Sequence, residues 1–402
     1  MGTQSERPQG SGIRPQEASE IRPQGSGLSP SSGRSRASAS PEARGLRPDA
    51  FGLKTAFLSL LAIALLAWFV RSANMTAVWN HIRLARMDLV ALTLVGVAVT
   101  FFMRTLRWQH LLRPIGETRF RTAFRATVIG FAAIGVLPAR AGELLRPYLL
   151  ARQEGFSASS TFATIVMERV LDMVAVVTLL AAFVWLFGGR YIVPAPLLRP
   201  IEISAALAAG AAAALFGLMW TLATHPERVA RLVLHSGRVL PTRIAHALSG
   251  LARTFSQGFA AAREPRAVLM ALLWSFPIWL AIALETWLIS IAFGIDFPFS
   301  GSFLMQALLV IGIAVPTPGG IGGFHEAYRI GVTTFFGASN DAAVGAAIVL
   351  HAISFVPVTI VGVIFMVRDG LSLAGLRRLA GAARREETTV TDEVPVLRSS
   401  RR

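Results

Sequence analysis

The chain alternates between long apolar runs and short polar segments that are rich in arginine. Six runs carry few charges over about 20 residues, the length a helix needs to cross the hydrocarbon core of a bilayer. These runs span residues 51–70, 88–106, 161–187, 201–223, 267–293 and 341–367. We therefore predict an all-α, polytopic membrane helix bundle with about six full spans.

Two further apolar stretches, 121–152 and 302–335, are interrupted in the middle by proline and glycine. Non-helical backbone at membrane depth survives only where protein or a water-filled cavity surrounds it. Short segments broken in this way at matching places of two halves are typical of inverted-repeat transporters. We expect two re-entrant broken hairpins, of which the first enters from the cytoplasm and the second from outside. An inverted repeat is the relation we expect between them.

The two ends of the chain differ from its apolar middle. Residues 1–48 repeat a loose Arg-Pro-Gln-Gly-Ser pattern with few apolar side chains, so we expect this tail to be disordered. We assign residues 49–370 to a transmembrane domain and residues 371–402 to a charged tail. Within the domain, residues 224–266 form an amphipathic basic segment.

Composition supports a membrane protein and its charge suggests an orientation. Of 402 residues, 53% are hydrophobic and 15% charged, whereas a soluble domain carries about 25% charged residues. The net charge of +16 comes from arginines at the ends of apolar runs and in the two tails, which is the positive-inside pattern, so we expect no nucleic-acid partner. If both broken stretches re-enter, the basic segments fall on one side. We expect a plasma-membrane protein with both termini cytoplasmic.

Several kinds of chemistry are excluded by residue usage. The chain has no cysteine, which excludes disulfides, thiolate catalysis and cysteine-ligated metals. Its single lysine, Lys54, does not lie in a Walker A loop, and His325 is followed four residues later by Arg329 rather than by a second histidine. We expect no cofactor and no metal, and the pattern favours a protein without a catalytic step of its own.

Charged residues inside the first broken stretch are candidate ligands. Arg140, Glu143 and Arg146 fall three residues apart, so on a helix they share one face and can pair. Arginines that extend to lipid headgroups are the alternative interpretation. That alternative fits Glu143 poorly, because its side chain is too short to reach the interface.

A second charged group, Glu168, Arg169 and Asp172, lies in the span 161–187. The two acids are four residues apart on one helix face, and the arginine is three from the aspartate. Either this is a self-contained cluster near a helix end, or its acids pair with the arginines of the first broken stretch.

Glu285 lies well inside the span 267–293. An acid at the helix centre costs about 2.5–3.5 kcal/mol on insertion scales, so Glu285 should face the bundle interior. His351 is a candidate partner, although a core histidine with other partners is the alternative.

The second break, Pro316–Gly323, is rich in glycine and precedes a half-helix. The free amides and the dipole at a helix amino end favour an anion, and a phosphate is the natural guest. Glycine lets a ligand approach the backbone closely; a tight turn that merely ends a helix is the alternative. Glu326 and Arg329 follow, three residues apart and able to pair.

Four short motifs occur in order along the chain. They are Arg104-Thr-Leu-Arg107-Trp108, Leu-Pro138-Ala-Arg140-Ala-Gly142-Glu143-Leu-Leu-Arg146, Glu168-Arg169-Val-Leu-Asp172 and Pro316-Thr-Pro318-Gly319-Gly320-Ile-Gly322. Together they resemble the flippase-like transmembrane domain of lysylphosphatidylglycerol synthases, over roughly residues 55–370. The resemblance implies movement of a phospholipid or a polyprenyl-type lipid between membrane leaflets.

In those synthases a cytosolic aminoacyl-transfer domain follows the membrane part. Here a short charged tail follows Arg368, so we expect a stand-alone membrane module without that activity. Expected partners are membrane lipids, a separate lipid-modifying enzyme, and further copies in a homo-oligomer. Two alternatives stay open: a membrane-embedded transferase or accessory subunit of glycolipid or cell-envelope lipid synthesis, and a scaffold that binds an enzyme through residues 224–266.

The candidate lipid-binding and headgroup-binding residues combine the charged groups with the glycine-rich break. They are Arg104, Arg107, Arg140, Gly142, Glu143, Arg146, Glu168, Arg169, Asp172, Glu285, Pro318, Gly319, Gly320, Gly322, Glu326 and Arg329.

Overall fold

A computed structural model describes residues 50–136, 141–187, 192–225, 227–228 and 264–371. These residues form helices and contain no strand, which confirms the all-α class. The helices are α1 (Ala50–Val70), α2 (Met75–Leu84), α3 (Met87–Leu112), α4 (Phe120–Val136), α5 (Ala141–Glu154), α6 (Ala158–Trp185), α7 (Ala195–Thr224), α8 (Pro265–Ala292), α9 (Gly301–Ala314), α10 (Gly323–Phe336) and α11 (Asn340–Arg368). A single 3-10 turn, Pro318–Gly320, lies between α9 and α10.

In the described part of the chain, four helices are long and apolar enough to cross a membrane: α3, α7, α8 and α11. Helices α1 and α2 add a fifth candidate if they are taken together, because the chain bends by 84° between them. This count is lower than the six spans predicted. Helix α6 has 28 residues, but Glu168, Arg169 and Asp172 lie within it and lower its apolar character.

The helix ends gather at two opposite ends of the bundle. At one end, the backbone N–H of Arg86 before α3 donates to the carbonyl of Ala292 at the close of α8, over 3.0 Å. At the other, Arg125 of α4 forms an ion pair with Asp369, just after α11. We call the first the outer end and the second the inner end, following the predicted orientation.

Helices α4 and α5 form an antiparallel hairpin in which the two backbones approach closely at glycines. A Cβ atom added to Gly142 would lie 2.3 Å from the carbonyl oxygen of Gly130 and 2.4 Å from the amide nitrogen of Ile134. One added to Gly130 would lie 2.6 Å from the Cβ atom of Arg146. Small residues allow such close backbone approach in membrane helices. The hairpin opens at the inner end, where Arg125 lies.

Helices α9 and α10 form a second antiparallel hairpin, which opens at the outer end. A Cβ atom on Gly312 would lie 2.5 Å from the carbonyl oxygen of Gly323, and one on Gly301 would lie 2.8 Å from the ring of Phe336. Each helix has 14 residues, fewer than the roughly 20 needed to cross the hydrocarbon core. The two broken stretches are therefore hairpins that open at opposite ends of the bundle, as predicted.

The closed tips of the two hairpins meet. A Cβ atom on Gly319, in the turn of the second hairpin, would lie 3.7 Å from both the Cα atom and the carbonyl oxygen of Gly135, near the end of α4. Each hairpin also has its own apolar core, around Trp108 and Leu145 for the first and around Phe324 and Tyr328 for the second. The described ends of the two hairpins are therefore in contact.

Several predictions lie outside the described residues. They concern the tail 1–48, the tip residues Pro138 and Arg140, most of the basic segment 224–266 and residues 372–402.

Candidate functional site

Arg107 of α3 lies fully buried at the centre of an ion-pair network. Its Nη1 donates to Asp172 Oδ1 at 2.5 Å and to Ser275 Oγ at 2.9 Å, and its Nη2 lies 3.0 Å from Glu168 Oε1. A buried charge is costly unless it is paired and hydrogen-bonded. This arginine therefore holds two acids of α6 against α3 and α8.

Arg146 connects the first hairpin to the same network. Its Nη1 donates to both carboxylate oxygens of Glu168, at 3.0 and 3.2 Å. Its guanidinium carbon lies 4.0 Å above the ring of Trp108, whose Nε1 donates to Thr164. The predicted pairing of an acid of α6 with an arginine of the broken stretch is confirmed for Arg146.

Arg169 pairs with acids of its own helix, α6, so the interpretation of residues 168–172 as a self-contained cluster also holds. It donates to Glu168 at 3.0 Å and lies 3.5 Å from Asp172. Its side chain is 46% exposed, and it interacts electrostatically with Glu143 of α5. The exposed edge of the network is thus formed by Arg169 and Glu143.

Two partners in the network come from α8 and were not predicted from the sequence. Trp279 Nε1 donates to Asp172 Oδ1 at 2.9 Å, and Ser275 accepts from Arg107. Their spacing of four residues puts both polar groups on one face of an otherwise apolar helix. That spacing was the signal that could have identified them.

Arg104, one turn before Arg107, is in a different situation. It is half-buried, and its guanidinium carbon lies 5.5 Å from the ring of Phe131 of α4. It makes no ion pair with any acid in the described part of the chain, although Asp172 and Glu168 act on it electrostatically. Its charge is therefore available to a ligand.

Buried guanidinium nitrogens also lack hydrogen-bond acceptors among the described residues. Within the network they are Nε and Nη2 of both Arg107 and Arg146, of which Arg107 Nη2 lies 3.0 Å from Glu168 Oε1. An unsatisfied buried donor costs about 1–3 kcal/mol, and more when it is charged. Three arginines (107, 146 and 169) interact with three acids (143, 168 and 172) in this network, so the donors without acceptors, rather than a surplus of charge, are what suits an anion.

Glu285 faces the bundle interior, as expected. It is 6% exposed and accepts a hydrogen bond of 2.7 Å from Thr100 Oγ1 of α3. A Cβ atom on Gly96, one turn earlier in α3, would lie 3.1 Å from its Cγ atom, so glycine makes room for the acid. The suggested pairing with His351 is wrong, because that histidine contacts the second break instead.

Two histidines hold the turn of the second hairpin. His351 Nε2 lies 2.9 Å from the carbonyl oxygen of Gly319, so this nitrogen is the donor. The backbone N–H of Gly322 donates to His325 Nδ1 at 3.3 Å, and the two imidazole rings are 4.5 Å apart. Helix α11 packs against α10, which directs His351 towards this turn and away from Glu285.

The glycines of this turn are required by its backbone. Gly319, Gly320 and Gly322 have φ values of +61°, +69° and +87°, a region that other residues rarely adopt. A Cβ atom on Gly322 would lie 2.4 Å from the Cβ atom of Leu65, so glycine also lets α1 approach. Pro318 opens the 3-10 turn. That these four residues bind a headgroup stays a prediction.

Glu326 and Arg329 form the predicted ion pair. Arg329 Nε donates to Glu326 Oε2 at 2.9 Å, and its Nη1 donates to Asn340 Oδ1 at 3.1 Å. The pair links α10 to the first residue of α11, which lies at the outer end.

The chain that forms these opposed hairpins and this arginine network matches a known family. The family model described as the lysylphosphatidylglycerol synthase TM region matches residues 56–362. The chain belongs to this family. All the candidate residues, from Arg104 to Arg329, lie within the matched range.

Three related proteins are similar to this chain over most of its length. It is 26% identical over 334 residues to Glycosyltransferase AglD of Haloferax volcanii, covering 76% of this chain. It spans only about half of that relative, 52% of its length. Two UPF0104 membrane proteins of Methanothermobacter thermautotrophicus are each 24% identical, over 329 and 322 residues, and 94% and 90% of their lengths are covered.

The described residues of this chain contain no group of three or more His, Cys, Asp or Glu side chains that could hold a metal ion. What they offer is a set of guanidinium groups within a membrane bundle, which Arg146 links to the first hairpin. Such an arrangement can bind and release an anionic group; a lipid-related membrane function is consistent with the family and with its membrane-protein relatives.

Proposed function

We propose that this protein moves a lipid with an anionic phosphate headgroup between the leaflets of the membrane, without hydrolysing a nucleotide. The observation that carries the proposal is the set of buried arginine N–H groups that have no acceptor in the described part of the chain. Arginine binds phosphate oxygens through paired, charge-assisted hydrogen bonds. A phosphate is therefore the group that would best complete the site.

The arrangement of the arginines suggests how a headgroup would be bound. Both Nη atoms of Arg107 contact Asp172, Ser275 or Glu168 and its Nε is fully buried, so this arginine acts as a brace. Arg104 is half-buried and has no ion pair with a described acid, so it is the first candidate to contact the phosphate. Arg146, with two unused nitrogens, would be the second.

The hairpin tips support a path for the headgroup across the membrane. Helices α5 and α10 both begin beside the tips, and the positive ends of their dipoles favour an anion there. Because the tips touch at Gly135 and Gly319, a phosphate leaving one hairpin would meet the other at once. Alternating access by movement of the hairpins is the mechanism we infer.

A second candidate function rests on one relative. The protein AglD is named a glycosyltransferase, and this chain matches about half of it. The chain could accordingly act as an accessory subunit of glycolipid or cell-envelope lipid synthesis. Lipid movement by the isolated protein would separate this candidate from the first.

We also propose the surroundings in which the protein acts. The cytoplasmic position of both termini rests on the arginine distribution of the sequence, and the plasma membrane rests on the resemblance to the family. Partners would then be membrane lipids and a separate lipid-modifying enzyme at the cytoplasmic face, with self-association as a further possibility to measure.

The test is reconstitution of the full chain into phosphatidylcholine vesicles that contain a trace of phosphatidylglycerol labelled with NBD. Dithionite added outside bleaches only the outer leaflet of empty vesicles. We expect it to bleach the inner-leaflet probe as well, once the protein is present.

The informative variant is Arg104→Gln, because it removes a charge without leaving a described acid unpaired. It should slow bleaching of the inner-leaflet probe at least about tenfold, the effect of losing about 1.4 kcal/mol of headgroup binding. Arg113→Gln, the same change at the exposed end of α3, is the control. Normal movement by the Arg104 variant would remove this arginine from the site; no movement by the wild-type protein would count against transport itself.

A further inference from the structure

Glu285 differs from the other buried acids of the described chain in what it contacts. Glu168 lies within 3.0 Å of three arginines, and Asp172 contacts two arginines and Trp279. Glu285 has only the hydroxyl of Thr100, at 2.7 Å. The first two acids stay compensated whatever the site contains, while Glu285 has no such compensation.

Few charged or titratable groups face Glu285 from the helices that pack on α8. From α3, Arg104 acts on it electrostatically. From α6, Asp172 is directed to Arg107 and Trp279, and from α11, His351 is directed to the carbonyl of Gly319. Gln306 of α9 bonds to α8 through Thr286 and is uncharged. Within the described residues, Arg104 is the charged group that acts on Glu285, while Asp172 and Glu168 also act on Arg104.

The charge of Arg104 is partly offset by Asp172 and Glu168, and the remainder can be balanced in two ways. When Glu285 is ionised, its negative charge offsets the arginine across the one turn that separates Thr100 from Arg104. When Glu285 takes a proton, the arginine is left to a bound anion. A proton on the acid and a phosphate on the arginine therefore favour each other, which is a coupling between two ligands.

We propose that Glu285 is a proton-binding site, and that one proton moves with each anionic headgroup. This proposal rests on the lipid transport proposed above. The carboxylate takes a proton from water on one side and becomes a neutral acid while Arg104 holds the phosphate. After the hairpins rearrange, the lipid leaves, Arg104 again attracts the carboxylate form, and the proton passes to water on the other side.

The proposal makes a quantitative statement about the driving force. One anion and one proton together carry no net charge, so a membrane potential should not alter the distribution of the lipid between leaflets. A pH gradient should alter that distribution about tenfold per pH unit, for one proton per lipid. An anion that moved alone would instead shift about 50-fold per 100 mV, which corresponds to about 2.3 kcal/mol per charge.

The experiment measures the steady-state leaflet ratio of NBD-labelled phosphatidylglycerol in phosphatidylcholine vesicles that contain the full chain. One set of vesicles holds a gradient of about one pH unit, and another holds a potassium gradient with valinomycin. We expect the probe to accumulate on the alkaline side, where the cotransported proton is removed, and to ignore the potential.

Glu285→Gln should remove the response to pH and create a response to potential, since the headgroup then moves without a proton. Glu202→Gln, the same change on α7, should behave as the wild-type protein does. Glu285→Asp keeps a titratable group and should keep the response to pH, which provides a second variant if the glutamine form folds poorly.

The possible outcomes distinguish proton coupling from lipid transport. Probe that equilibrates between leaflets but follows the potential and not the pH gradient would overturn proton coupling and leave lipid transport standing. A response to pH that persists in Glu285→Gln would assign the proton to another group. Probe that does not move at all would overturn lipid transport, and proton coupling with it.

Discussion

The close packing of α4 against α5 predicts a large effect from one methyl group. In Gly142→Ala, the added Cβ atom would lie 2.3 Å from the carbonyl oxygen of Gly130 and 2.4 Å from the amide nitrogen of Ile134. Both atoms belong to the backbone of α4, so no side chain can rotate away. The two helices must separate by at least 0.7 Å for the shorter contact to reach 3.0 Å.

The free-energy cost follows from the kind of strain. Overpacking of a filled core costs about 1–3 kcal/mol, and the upper part of that range applies where backbone must move. Replacement of a helical glycine by alanine would otherwise stabilise a helix by about 0.5–1 kcal/mol. The shift also displaces Arg146, one turn on in α5, and a displacement of about 1 Å at a site can reduce activity about 100-fold.

Thermal unfolding in detergent and probe movement in vesicles would measure both effects. The control is Gly210→Ala on α7, where an added Cβ atom meets nothing within 4 Å. We expect the control to be at least as stable as the wild-type protein, and Gly142→Ala to be less stable and slower in transport. Equal stability and equal transport of the two variants would show that the hairpin is not packed as described.

Three other predictions concern the network, the second break and the orientation. Arg107→Gln leaves two buried acids short of a counter-charge, so it should lower the free energy of unfolding by about 3–5 kcal/mol; an unchanged melting temperature in detergent would contradict this. His351→Phe keeps a ring but removes the donor to the carbonyl of Gly319, so hydrogen exchange at residues 318–323 should increase, and equal exchange would show that the bond is not needed. In intact cells, an impermeant thiol reagent should label a cysteine placed at Ser339 but not one at Arg243; labelling of the second would reverse the proposed orientation.

The hairpins illustrate what local sequence information can predict. Proline and glycine in the middle of an apolar stretch interrupt a helix wherever the stretch lies in the fold, because the interruption depends on backbone chemistry alone. The two broken stretches and the pairing of Arg146 with Glu168 followed from such patterns and from the burial cost of charge. Helix α2 was missed, because its 10 residues are too few and too polar to register as a span.

The partners of individual polar side chains depended on packing instead. Arg107 bonds to Asp172 and Ser275, which are 65 and 168 residues away along the chain. His351 bonds to the carbonyl of Gly319 and not to Glu285, and a hydropathy pattern cannot distinguish between these two partners.

Hydropathy and spacing thus determined most of the helical segments other than α2, the places where two apolar stretches break, and the burial of Glu285. Tertiary structure decided which charges meet. The reason is geometric: the sequence specifies the face of its own helix on which a side chain lies, but the rotation and crossing of neighbouring helices specify what that face contacts. Arg104 shows the difference, since it makes no ion pair with a described acid, whereas Arg107, one turn away, pairs with Asp172 and Glu168.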